Sequence, residues 1–351
     1  MDKATVVDEY MKVVKICTMI IGIWPDQSKS SKLVMRTIIY IISVLSFVTQ
    51  IANVVHFFNM NVLLNQICFL TALSGVLLKE GLYIIKATEY KMLLTAIWKD
   101  WSTDSHSNEF HIMAEYAKKG ALLSWFDCGI IVYVGCDTSY MCIVQHACGQ
   151  LAVAGHRFKN AIFDLSIVNE TSAIQDEIHE RVIRSIRQHQ YAIDYLKTIQ
   201  SIHSTYLCIC IGLVMVTFSV TLVKVSSSTY KFTQFDSNCK YRASKQVAAQ
   251  SEISAEFIKD VVFLSSQLTH IFLLTVQGQF VQNANDEVTE SIYDALWYNS
   301  NNKTKLLFVL ALRNCLNPPT LSAAGLIILN LKSFSEILKT SVSYFTVLKS
   351  T

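Results

Sequence analysis

At 351 residues the chain is 52% hydrophobic and only 16% charged, where soluble domains carry about a quarter charged residues. That balance excludes an ordinary soluble globule and fits a polytopic membrane protein. A net charge of +3, spread over loops, makes no basic field of the kind nucleic acid needs, so no nucleic-acid partner is expected.

Residues 1–32 read as a cytosolic amphipathic segment. Val6, Val7, Tyr10, Val13, Val14 and Cys17 recur at helical spacing among Lys3, Lys12 and Lys15, and Trp24-Pro25 ends the pattern. The stripe predicts a helix lying on the membrane surface. No basic start or cleavage site marks the amino end, so no leader removal is expected. Residues 33–281 hold six spans with cytosolic helical extensions. The first two, 33–58 and 62–85, are joined by Asn59-Met60-Asn61. Lys29, Lys32 and Arg36 precede the pair and Lys86, Lys91 and Lys99 follow it, which the positive-inside rule converts into a cytosolic amino terminus.

Residues 120–155 are apolar with only Asp127 and Asp137 as charges. The following segment carries Arg157, Lys159, Arg181, Arg184 and Arg187 and belongs in the cytoplasm, so both ends lie on one side. A tight hairpin turning at Gly135-Cys136-Asp137-Thr138-Ser139 is expected, with helices three and four shortened. A long helix is predicted from Ala173 into a fifth span at 205–225. The polar stretch 226–256 falls outside the cell in this topology, although Lys231, Lys240, Arg242 and Lys245 run against the charge rule, and it is expected to be poorly ordered.

A sixth span covers 257–281, and 282–319 form a cytosolic anchor segment whose helix at 303–314 stops at Asn317-Pro318-Pro319, since proline cannot continue a helix. Residues 320–351 read as one last helix with a polar stripe of Ser322, Gly325, Lys332, Glu336, Lys339, Ser343 and Ser350. Ile327, Leu331, Phe334, Leu338, Val342 and Phe345 fall opposite. Charges within a spanning helix favour a water-filled path or bundle interior; the plainer alternative is an interfacial helix. The fold class is therefore all-α: a polytopic membrane bundle of seven transmembrane helices, the last lining a pore.

Enzyme signatures are absent: there is no phosphate loop, HExxH or GxSxG, and no catalytic residue, metal site or cofactor is expected. The cysteines lie in apolar runs without a CxxC pair and read as small buried side chains. His189 and His203 are expected to face solvent or a neighbouring subunit.

The ending Ser341-Val342-Ser343-Tyr344-Phe345-Thr346-Val347-Leu348 and the preceding Asn330-Leu331-Lys332-Ser333-Phe334-Ser335-Glu336-Ile337-Leu338-Lys339 resemble the carboxyl terminus of insect odorant receptors. Gly278-Gln279, Ala295-Leu296-Trp297-Tyr298, Leu312-Arg313-Asn314 and Gln145-His146-Ala147-Cys148-Gly149 extend the likeness upstream. The resemblance implies a multi-pass plasma-membrane subunit of a ligand-gated, non-selective cation channel in olfactory neurons, partnered by a shared co-receptor subunit in a hetero-tetramer and opened by a small volatile apolar ligand. It places a hydrophobic gate at Val347, with Ser350, Ser343 and Glu336 along the pore. Trp297, Tyr298, Leu307 and Leu310 become the subunit anchor.

An apolar cavity with a few polar groups suits such a ligand. The candidate positions are Thr71, Ser74 and Leu78 on helix two, Trp125, Phe126 and Ile130 on helix three, and Phe263, Gln267 and His270 on helix six; the plainer reading of each is helix packing. Alternatives are a gustatory-type chemoreceptor channel, whose ending carries a glutamine where Ser350 stands, and a receptor made non-functional by the lost outer parts of helices three and four. A G-protein-coupled receptor fits less well, because the charge bias puts the amino end inside.

Overall fold

A computed structural model describes residues 3–102, 107–130, 134–163, 172–238 and 245–350. In chain order the helices are α1 (Lys3–Ile20), α2 (Lys29–His56), α3 (Met60–Ile85), α4 (Ala87–Ser102), α5 (Ser107–Ile130), α6 (Val134–Phe163), α7 (Ser172–Asn238), α8 (Lys245–Tyr293), α9 (Asn302–Cys315) and α10 (Leu331–Ser350). A 3-10 turn at Trp297–Asn299 precedes α9, and a small antiparallel hairpin, β1 (Ser322–Ala323) with β2 (Ile327–Ile328), precedes α10. The architecture is an all-α bundle, as the composition requires.

Four of these helices are long and apolar enough to cross a bilayer: α2, α3, α7 and α8. α2 shows why lipid is their solvent. Leu33, Ile38, Ile41, Ile42, Leu45, Val48 and Val55 are all exposed along it, a surface that water would not tolerate. Its start is fixed by polar clamps. Ser28 caps it by accepting the Ser31 amide, Lys32 Nζ donates to the Pro25 carbonyl at 2.7 Å, and Arg36 Nε donates to the carbonyl of Gly22 at 3.0 Å.

The core lies lower in the bundle, where α6 is sheathed on every side. Tyr140, Ile143, Val144, Leu151 and Phe158 are fully buried among α5, α7 and α8. α1 joins this mass: Met11, Val13 and Val14 are buried and Met11 Sδ meets Cys142 Sγ at 3.3 Å. The stripe read as membrane-facing therefore packs on protein, with Ile16, Met19 and Ile20 left exposed.

The turn predicted at 135–139 is helical, forming the first turns of α6; the joint between α5 and α6 falls at 131–133, outside the described residues. α5 and α6 pack on each other. Residues 120–130 of α5 run only about 16 Å at ~1.5 Å per residue, roughly half the ~30 Å hydrocarbon layer. The polar stretch 226–256, expected to be poorly ordered, is helical wherever described, since α7 runs on to Asn238 and α8 starts at Lys245; residues 239–244 lie outside the described set.

The last helix starts at Leu331, not Thr320. Asn330 and Ser333 cap each other: Asn330 Oδ1 accepts the Ser333 amide at 2.8 Å, and Ser333 Oγ accepts the Asn330 amide at 3.0 Å. Upstream, Ala324 and Gly325 take φ of 52° and 72°, turning the chain into the hairpin. Gln200 of α7 accepts the Ser322 amide and donates to its carbonyl, both at 2.8 Å, and the Ala324 amide donates to Ser204 Oγ at 2.9 Å. These bonds satisfy non-helical backbone groups where the hairpin lies against α7. The proline break is as read, with α9 ending at Cys315.

Candidate functional site

α3, α7 and α8 line a half-open cleft of about 80 Å³. Its walls are apolar. Ala72 and Gly75 come from α3, Leu213 and Val214 from α7, and Phe263 from α8. At the end of the cleft nearer α4 stand Lys79 and His270, and between them is the buried carboxylate of Asp137 from the first turn of α6.

Three groups converge on that carboxylate. Lys79 Nζ lies 2.5 Å from Oδ2, His270 Nε2 lies 3.3 Å from the same oxygen, and Tyr206 Oη donates to Oδ1 at 2.9 Å. The Lys79 ammonium also lies 4.9 Å from the Tyr206 ring centroid, a second favourable contact for a buried cation. Asp137 gains further from its place at a helix amino terminus, where the backbone dipole favours negative charge. Behind this cluster Tyr83 Oη and His203 Nε2 lie 2.9 Å apart, and His203 packs on Tyr140 at 4.9 Å. The cluster thus ties α3, α6, α7 and α8 at one point. From the sequence Asp137 reads only as turn chemistry and Lys79 is passed over; a lone lysine within an apolar span was the available signal.

The expected cavity residues divide by helix. Thr71, Phe263, Gln267 and His270 line the cleft. Ser74 and Leu78 do not, and Leu78 is exposed. Trp125 is 64% exposed, on the outside of α5, and the side chains of Phe126 and Ile130 fall outside those described. No lining residue among the described ones comes from α5 or α6, whose hairpin ends beside the floor. His189 and His203, expected at the surface, are buried instead.

α10 packs on α7 and α8 through Ser333, Ile337 and Ser341, one residue per turn. Ser219 Oγ of α7 donates to the Ser341 carbonyl at 2.9 Å. Ser333 and Ser341 flank Ile337 in this contact as small residues that let membrane helices approach closely, and Phe334 of the predicted apolar face meets Phe272 of α8 with ring centroids 5.6 Å apart. Val342 and Leu331, assigned to the packed face, are exposed. Lys332, Glu336, Lys339, Ser343, Val347 and Ser350 are exposed and share another face. Among the described residues neither lysine pairs with Glu336. Ser322 and Gly325 leave the stripe, since they sit in the hairpin.

Of the anchor residues, Tyr298 and Leu310 are exposed, whereas Trp297 and Leu307 pack on the protein's own core. Leu306 and Val309, not singled out from the sequence, complete an exposed apolar face on α9.

Residues 245–342 match the family described as 7tm Odorant receptor. Odorant receptor 22c of Drosophila melanogaster is 20% identical over 225 residues, covering 63% of this chain and 50% of that protein. Over these stretches the chain is similar to insect odorant receptors. Odorant receptor 13a of the same fly is also 20% identical over 225 residues, with 61% and 48% covered, so the chain spans about half the length of the relatives it matches. The insect olfactory receptor OR5 from Machilis hrabei, solved in complex with eugenol, superposes with a TM-score of 0.70 over 99% of this chain and 100% of that one at 11% identity; its structure described without eugenol gives 0.69 over 99% of each. At that identity the likeness establishes the fold, a multi-pass membrane bundle of the odorant receptor kind.

Proposed function

We propose that this odorant-receptor-type chain is the odorant-sensing subunit of a ligand-gated, non-selective cation channel, working with a shared co-receptor subunit in a hetero-tetramer at the plasma membrane of olfactory neurons. The observation that carries the reading is a shared wall. α7 and α8 line the cleft on one side and support α10 on another, so a ligand that wedges the cleft bears on the helices that hold the polar stripe. The amino terminus is cytosolic in this reading. α10 runs outward with Val347 as its apolar constriction, Ser350 and Ser343 beside it and Glu336 deeper, and a ring of such residues needs several chains.

Tyr298 and Leu310, with Leu306 and Val309, supply an apolar face for the subunit contact; Trp297 and Leu307 stiffen it from behind. The ligand is a small volatile apolar molecule, matched to the walls of the cleft. The test is co-expression with a co-receptor and recording under a broad odorant panel. Odorant-evoked cation current is expected, and surface-resident protein that never responds would mark a non-functional receptor.

Two substitutions sharpen the reading. Val347→Ser wets the constriction and is expected to raise unliganded current severalfold. Glu336→Gln removes an uncompensated anion from the stripe and is expected to lower the cation-over-anion permeability ratio, measured by reversal potentials, without changing odorant rank order.

A further inference from the structure

The cleft has an apolar body and two buried polar atoms without a hydrogen bond. Two of its hydroxyl groups are spent locally: Thr71 Oγ1 donates to the Ile67 carbonyl at 2.7 Å and Thr217 Oγ1 to the Leu213 carbonyl at 3.0 Å. Lys79 is held by Asp137 at the floor. Two buried polar atoms of the lining make no hydrogen bond, Gln267 Oε1 and His270 Nε2, and the second lies 3.3 Å from the Asp137 carboxylate. Gln267 is 7% exposed, so its carbonyl oxygen is an acceptor withdrawn from water, an unfavourable condition in a protein interior until a donor arrives.

We infer that Gln267 selects ligands carrying a hydroxyl donor on an apolar chain, the hydroxyl donating to Gln267 Oε1 while the chain lies along Ala72, Gly75, Leu213 and Phe263. This deepens the proposed sensing role and rests on the cleft being the ligand site. The donor is the discriminating element because a site built to hydrogen-bond a hydroxyl rejects the analogue lacking it more strongly than an apolar wall distinguishes chain lengths. Acceptor-only ligands, such as aldehydes of the same length, leave the glutamine oxygen buried and unanswered.

The test uses the full chain in lipid nanodiscs and three probes of equal chain length: 1-heptanol, heptanal and heptane. Each is titrated against thermal unfolding, and half-maximal stabilisation gives the apparent affinity. 1-Heptanol is expected to bind about five- to tenfold more tightly than the other two. Gln267→Met, which keeps the side-chain length, is expected to abolish that ranking while leaving heptane unchanged; Gln267→Leu serves if the first variant fails to fold, and the wild-type ranking decides if both fail. The variant comparison also cancels any effect of alcohol on the lipid. Equal binding of all three probes, or tighter binding of heptanal, overturns the inference and leaves the cleft standing as an apolar ligand site. No stabilisation by any probe overturns the cleft as the sensor and the inference with it.

Discussion

Gly278→Ala is expected to destabilise the protein sharply, although glycine to alanine inside a helix ordinarily gains about 0.5–1 kcal/mol. Gly278 lies within α8 where the chain between β2 and α10 crosses it. A Cβ at this position would fall 2.0 Å from the Leu329 carbonyl oxygen and 2.7 Å from its carbon. These are backbone atoms, and the Leu329 amide is itself committed to the Leu321 carbonyl at 2.8 Å, so the crossing segment has no slack with which to yield. Gln279 meets the Leu331 amide at 3.4 Å beside the clash, so displacement would also loosen the start of α10. The cost belongs at or above the upper end of the about 1–3 kcal/mol typical of overpacking. Gly212→Ala is the control: it sits in α7 with nothing within 4 Å of the place its Cβ would take, and it is expected to be neutral or mildly stabilising. Thermal unfolding of the two purified variants in detergent checks the pair. Equal midpoints would mean that Leu329 does not rest on α8.

The contrast between what was legible and what was not follows from range. Apolar runs and the proline pair are local signals, and they placed the helical bundle, the long helix beginning near Ala173 and the end of α9 close to where they stand. The positions on α8 were legible because Phe263, Gln267 and His270 share one helical face. Features set by partners far along the chain were not. The hairpin before α10 is two residues per strand, too short for a period, and its hydrogen bonds go to Gln200 and Ser204. Residues 135–139 have turn chemistry, yet Asp137 is claimed by Lys79 and Tyr206 from other helices and stays helical. The Asn330 and Ser333 capping pair was readable in principle, but it lay inside a longer periodic run that hid it. The helical face that holds Trp125 does not report that α5 lies outside the cleft.

Asp137→Ala is expected to cost about 3–5 kcal/mol, the range for removing one partner of a buried ion pair. The side chains of Lys79 and Asp137 are 6% and 1% exposed, so the lysine left behind is a largely buried cation without its carboxylate. Lys79→Met in the Asp137→Ala background removes the stranded cation and is expected to recover most of the loss, whereas Lys79→Met alone leaves a buried carboxylate with only Tyr206 and His270 to face it. The double-mutant cycle, read as thermal midpoints of the four proteins in nanodiscs, therefore predicts a large coupling of favourable sign. Additive losses would show that the two groups do not depend on each other. The same four proteins separate folding from sensing. If the cluster only holds α3, α6, α7 and α8 together, the double variant regains both stability and odorant-evoked current. If the charges also anchor the floor of the cleft against movement on ligand binding, stability returns while the current does not, because a methionine in place of Lys79 restores volume without the bond that ties α3 to α6.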